Sequence, residues 1–100
     1  MKKIAIFASG SGTNAENIAT FYSSKSHAKV QMVLTNNKNA GVIERMKPFG
    51  IPVLDYSNVD FREGSPIVSI LQENDIDFIV LAGFMNMISA PVLTAYPNRI

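Results

Sequence analysis

At 100 residues, with 47% hydrophobic and 17% charged side chains, the chain has the composition of one small globular domain, or part of a larger one. A net charge of +1 leaves no electrostatic footprint for nucleic acid or an anionic membrane, and the absence of cysteine excludes disulfides, thiolate metal sites and a cysteine nucleophile. The opening Met1-Lys2-Lys3-Ile4 suits a buried strand better than a signal peptide, and no apolar run approaches the roughly 18 residues that span a membrane, so a cytoplasmic location is expected.

In chain order, the first apolar run is Lys3 to Ala8, a predicted strand. It breaks into Ser9-Gly10-Ser11-Gly12-Thr13-Asn14, and Thr13-x-x-Glu16 reads as a capping box that starts a helix at about Thr13. That helix runs from Asn14 to about Ser24, with Ile18, Phe21 and Tyr22 at helical spacing. A second strand, Val30 to Leu34, ends in the polar cluster Thr35-Asn36-Asn37-Lys38-Asn39. A helix over Ala40 to Phe49 follows, stopped by Gly50, and then a weak strand, Pro52 to Leu54. No element is assigned between Leu54 and Ser65. A helix from about Ser65 to Asn74, a fourth strand over Phe78 to Ala82 and a short helix over Pro91 to Tyr96 complete the set. Short, continuous apolar strands alternating with helices predict a doubly wound, mostly parallel α/β sheet. Ligands gather beyond the carboxyl ends of such strands, where the Ser9–Asn14, Thr35–Asn39 and Gly83–Ile88 segments fall. Such sheets commonly have five or more strands, so the sheet is expected to be incomplete here, with residues 1–100 the first half of a single longer domain.

Two readings fit Ser9–Asn14 from the residues alone: a tight turn that uses glycine for geometry, or an anion cradle at a helix N-terminus. Asn36 and Asn37 stand where a dinucleotide site would carry an acid, which argues against NAD, and no Gly-Lys-Ser/Thr follows the loop, which excludes a Walker A site. His27, the only histidine, falls in a polar connection at the opposite end of the sheet and reads as a surface residue. The acids Asp55, Asp60, Glu63, Glu73, Asp75 and Asp77 show no metal-ligand spacing and read as solvated faces or caps, and no metal is expected. Arg62 reads as an exposed arginine at the start of a helix, able to pair with a carboxylate ligand. No nucleophile–base pair is present. The segment Leu81 to Ile88 turns abruptly after a strand and keeps Phe84, Met85, Met87 and Ile88 around the single polar Asn86. It suits either a buried crossover or a slot for a flat heterocycle.

Taken together, Ala8-Ser9-Gly10-Ser11-Gly12-Thr13-Asn14 and Val80-Leu81-Ala82-Gly83-Phe84-Met85 resemble the small, folate-dependent phosphoribosylglycinamide formyltransferases. The resemblance extends through Leu34-Thr35-Asn36-Asn37 and Ala95-Tyr96-Pro97-Asn98-Arg99-Ile100. It implies a Rossmann-like formyltransferase fold and transfer of a formyl group from 10-formyltetrahydrofolate, as co-substrate, to the amine of glycinamide ribonucleotide in purine biosynthesis. It further implies that Gly12, Thr13 and Asn14, in a loop shaped by Ser9, Gly10 and Ser11, hold the substrate phosphate. Met85, Asn86, Met87 and Ile88 would line the folate pocket, and Arg62 would contact the folate. Relatives often carry a basic residue in place of Asn86. The family's Asn-x-His-Pro motif and catalytic aspartate would fall beyond Ile100, so no catalytic residue is expected in these 100 residues and the isolated chain is expected to be inactive. Small-molecule substrates are the expected partners, with neither nucleic acid nor membrane. An apolar sheet edge left bare would invite pairing with another copy, so a homodimer is among the assemblies considered. Formyltetrahydrofolate hydrolase, methionyl-tRNA formyltransferase and a non-catalytic phosphate-binding module are the alternatives.

Overall fold

Alternation along the central strand builds both layers of the core. The computed structural model describes residues 1–100. In β1 (Lys2–Phe7), Ile4 and Ile6 face one side, and Ala5 and Phe7 face the other. Helices α1 (Thr13–Tyr22) and α2 (Val42–Met46), the latter continued by a tighter turn over Lys47–Phe49, cover the first face through Ala15, Ala19, Val42 and Met46. Helices α3 (Asn58–Glu63), α4 (Ser65–Glu73) and α5 (Ala90–Ala95) cover the second through Phe61, Ile67, Leu71 and Val92.

The strands β2 (Ala28–Thr35), β3 (Val53–Asp55) and β4 (Phe78–Leu81) are all parallel to their neighbours, in the order β3-β2-β1-β4. The order reverses at β1, so the loop after β1 opens at the switch point where the two halves of the sheet diverge. A register shift between Ile4 and Ala5 against β2 explains why Val30 and Val33, three residues apart, face the same side. The expected doubly wound, parallel architecture is therefore observed, and strand positions agree to within two residues at each end.

Two local expectations fail. Thr13 begins α1, but the residue before it, Gly12, holds the cap position in a left-handed conformation (φ 84°), with no side-chain cap bond. Thr13 Oγ1 instead meets Ser11 Oγ at 3.1 Å, and the Glu16 carboxylate pairs with Arg45 at 3.1 Å rather than turning back. The helix is set by glycine and not by a capping box. The second failure is α3, which lies where no element was assigned. Its signal is Ser57-x-x-Asp60: Ser57 Oγ accepts from the Asp60 N–H at 3.1 Å, and Asp60 Oδ2 accepts from the Ser57 N–H at 3.3 Å. Only one buried apolar residue, Phe61, marks so short a helix, and periodicity cannot register one point.

The sheet has two unlike edges. Beside β3 it ends in a three-residue strand. On the β4 side Phe78 and Leu81 remain 38% and 46% exposed, and only the last residues lie along it, through Ile79 N–H bonded to the Arg99 carbonyl at 2.8 Å.

Candidate functional site

Two of the three segments expected at the carboxyl edge share a recess there, and the third, Thr35–Asn39, is tied in through Asn36 Nδ2, which donates to Asn58 Oδ1 at 2.9 Å. Gly10, Ser11, Gly12, Thr13 and Asn14 line a recess of about 220 Å³ together with Ala82 and Gly83 from the end of β4. The bond from Glu16 N–H to the Gly12 carbonyl (2.8 Å) opens α1, so the N–H groups of Thr13, Asn14 and Ala15 have no intrahelical acceptor. These donors, and the positive end of a ten-residue helix, are what an anion requires.

Gly12 is demanded twice. Its φ of 84° is strained for any other residue, and a Cβ there would lie 2.6 Å from the Val42 backbone. The loop is seated directly on the start of α2, where Val42 N–H donates to the Gly10 carbonyl at 3.3 Å. Its shape therefore comes from backbone packing.

The Gly83–Ile88 segment divides its apolar residues. Phe84 packs edge-on against Phe7 (5.4 Å between ring centres) and lies 4.9 Å from Phe61, and Ile88 joins the same core. Met85 and Met87 are 80% and 90% exposed. The buried-crossover reading thus fails: burial stops at Phe84 and Ile88, and two flexible thioethers face outward beside the recess. The segment is tied to the glycine loop by Met85 N–H donating to the buried Ser9 Oγ at 2.8 Å. Ser9 is thereby a joint between the two loops, a role that its place in the sequence does not announce.

Arg62 is exposed, as expected, but sits in the last turn of α3 and not at a helix start, because the unassigned helix begins at Asn58. With Asn58, Asn86 and Met87 it lines a second recess of about 330 Å³, adjoining the loop after β4. The Thr35–Asn39 turn is held by its own side chains: buried Thr35 Oγ1 accepts from the Asn37 N–H at 3.2 Å, and Asn37 Oδ1 from the Asn39 N–H at 3.0 Å. His27 lies at the opposite end of the sheet, where its carbonyl accepts from the Lys2 N–H at 2.9 Å. Asp60 is a cap, and Asp77 Oδ2 accepts from the Lys3 N–H at 2.9 Å.

Parallel strands wound in both directions from β1, with a glycine loop at the first strand-to-helix turn, define a Rossmann-like α/β protein. Residues 2–100 match the formyl transferase family, and the chain belongs to it. It is 32% identical to the phosphoribosylglycinamide formyltransferase of Bacillus subtilis (strain 168), a match covering 100% of this chain and 54% of that protein. It is 34% identical to the chloroplastic phosphoribosylglycinamide formyltransferase of Arabidopsis thaliana, over 99% of this chain and 36% of the relative. Among solved structures, glycinamide ribonucleotide transformylase 1 from Geobacillus kaustophilus superposes with a TM-score of 0.90 at 35% identity, covering 100% of this chain and 56% of that one. The chain thus spans about half the length of the solved relative and between a third and just over half of the other two.

Proposed function

We propose that this chain is the N-terminal, ligand-binding half of a formyltransferase domain that moves a formyl group from 10-formyltetrahydrofolate to the amine of glycinamide ribonucleotide. The joint between the two loops carries the reading. One recess is walled by Gly10–Asn14 and by Gly83, and the Ser9–Met85 hydrogen bond holds the two walls together. A phosphate on one wall and a heterocycle on the other would be neighbours, which is what group transfer between two substrates requires.

In this reading the N–H groups of Gly12, Thr13 and Asn14 and the hydroxyls of Ser11 and Thr13 bind the phosphate of glycinamide ribonucleotide at the head of α1. The folate lies against Met85, Asn86, Met87 and Ile88. The residues fit such a group: exposed thioethers give a polarizable face for a flat ring, and loop backbone offers donors and acceptors for its edge. Arg62 faces the acidic end of the folate, its guanidinium suited to a carboxylate. When bound, the folate supplies the activated formyl carbon. The chain's own residues bind and orient, and the groups that manage proton transfer and the developing oxyanion come from the remainder of the domain.

Calorimetric titration of the chain with glycinamide ribonucleotide tests the phosphate site. Binding is expected, and it is expected to disappear when inorganic phosphate saturates the loop. No heat of binding to this chain, or binding indifferent to phosphate, would sink the assignment. The reading frame beyond Ile100 is the companion observation, with Asn-x-His-Pro expected within a few residues.

A further inference from the structure

Three asparagines close the rim of the second recess on a single atom. Asn58 Oδ1 accepts one hydrogen bond from Asn86 Nδ2 at 2.7 Å and another from Asn36 Nδ2 at 2.9 Å. Each residue belongs to a different carboxyl-end segment. Asn36 follows β2, Asn58 opens α3, and Asn86 stands in the loop after β4. The Asn86–Asn58 bond is the one hydrogen bond between that loop and α3; the loop's two other ties run the opposite way, from the Met85 N–H to Ser9 Oγ and from the Ser9 N–H to the Gly83 carbonyl at 3.4 Å.

Geometry gives this knot a consequence. Asn58 and Arg62 are one helical turn apart, at i and i+4, on the same face of α3. Both line the 330 Å³ recess whose other wall is Asn86 and Met87. The distance between the two walls is therefore spanned by the Asn58–Asn86 bond. Asn36 adds a second donor to the same acceptor and joins the turn after β2 to the wall. Two bonds converging on one oxygen make the acceptor at position 58 the element that matters, since neither uses the Asn58 amide nitrogen.

We propose that Asn58 is a positioning residue that sets the width of this recess. Its Oδ1 holds the 83–88 loop against α3, so that Arg62 and Met87 address one ligand at a fixed separation. The consequence for ligand affinity rests on the folate reading above; the tether itself does not.

The test uses the 100-residue chain with Asn58→Ala, Asn86→Ala and Asn58→Asp, the last of which keeps an acceptor at the same place. Backbone amide relaxation of residues 85–88 is read without ligand, and affinities for tetrahydrofolate and glycinamide ribonucleotide are read by calorimetry. In the unaltered chain the loop amides are expected to have order parameters near about 0.85, falling below about 0.6 in both alanine variants and returning in Asn58→Asp. Tetrahydrofolate affinity should fall roughly fivefold in the alanine variants, the loss of about one hydrogen bond, while glycinamide ribonucleotide affinity stays within about twofold. A merely structural role would weaken both ligands together. Loop amides equally rigid in both alanine variants, or Asn58→Asp behaving as Asn58→Ala, would overturn the proposal. If the unaltered chain binds no tetrahydrofolate, the folate reading fails and the relaxation data still decide the tether. Should Asn58→Ala not fold, Asn86→Ala breaks the same bond from an irregular loop and carries the test.

Discussion

The loop after β1 and the loop after β4 share one recess, yet they keep their shapes by opposite means. Ser9–Asn14 is held by its own backbone: Gly12 turns left-handed, α1 starts at the next residue, and Val42 presses against the turn from below. Gly83–Ile88 has no helix of its own to lean on. Its conformation depends on side chains reaching across the fold, with Phe84 among Phe7 and Phe61, Ser9 on the Met85 N–H, and Asn58 on Asn86. A locally determined loop is rigid before any ligand arrives and suits a small anion that must be met by fixed donors. A loop held by a few distant tethers can be adjusted by single substitutions, and it suits a larger, flatter ligand whose pocket varies in width.

Substitutions should separate the two modes, and the largest effect belongs to the backbone-determined loop. Gly12→Ala places a Cβ against Val42 in a left-handed conformation, and it should lower stability by about 2–5 kcal/mol, combining roughly 1–2 for the backbone and 1–3 for overpacking. Urea denaturation measures this, and glycinamide ribonucleotide binding should vanish with it. An unchanged midpoint would show that the loop is not seated as described. Phe84→Ala removes the anchor of the other loop. Because that ring is only half-buried, the expected loss is about 2 kcal/mol, below the 3–5 of a fully buried phenylalanine. Here the proposed folate site should loosen, read as weaker tetrahydrofolate binding, while glycinamide ribonucleotide binding persists.

Ser9→Ala is smaller and more pointed, because it removes the acceptor of the Met85 N–H from a buried position. We expect about 1 kcal/mol in stability and faster hydrogen exchange at the Met85 amide, with no change in the Gly12 turn. Slow exchange at Met85 in this variant would mean that the loops are not joined through Ser9. The smallest effect touches neither loop. Burial first, and then the Asp77 carboxylate, raise the Tyr96 phenol above its ordinary 10.0, against a weaker opposing pull from Arg99. The folded state therefore favours the neutral phenol. The associated stability is complete below pH 10 and is lost as the pH rises through the higher folded value. Melting temperatures taken from about pH 8 to 12 should fall less steeply for Tyr96→Phe than for the unaltered chain. An identical slope for the two would remove Tyr96 from the alkaline transition.

Much of this arrangement is legible in the residues themselves. The apolar runs at Lys3–Ala8, Val30–Leu34 and Phe78–Ala82 announce strands, because alternation and apolarity are properties of neighbouring residues. Thr13-x-x-Glu16 marks the right start for the first helix but for the wrong reason, since the left-handed Gly12 and not a capping box opens it. The short helix at Asn58–Glu63 was not legible in that way. It is stabilised by a Ser57–Asp60 cap and one buried ring, Phe61, which packs against Phe84, Phe7 and Tyr56 from other parts of the chain. Its omission also misplaced Arg62, which the fold sets beside Asn58 in the last turn of a helix and against the loop after β4.

What the sequence by itself determined is the parallel, doubly wound frame, the glycine turn at the head of α1, and the two loops whose residues resemble those of formyltransferases. Each is written in short-range order: alternation, helical spacing, a residue without a Cβ. The tertiary structure alone decided how the loops meet. Ser9 reaches Met85 across 76 positions of sequence, and Asn58 gathers Asn36 and Asn86 from 22 and 28 positions away. Hydrogen bonds of that kind exist only after the strands have paired in order and brought their carboxyl ends to one rim, so no local pattern can encode them.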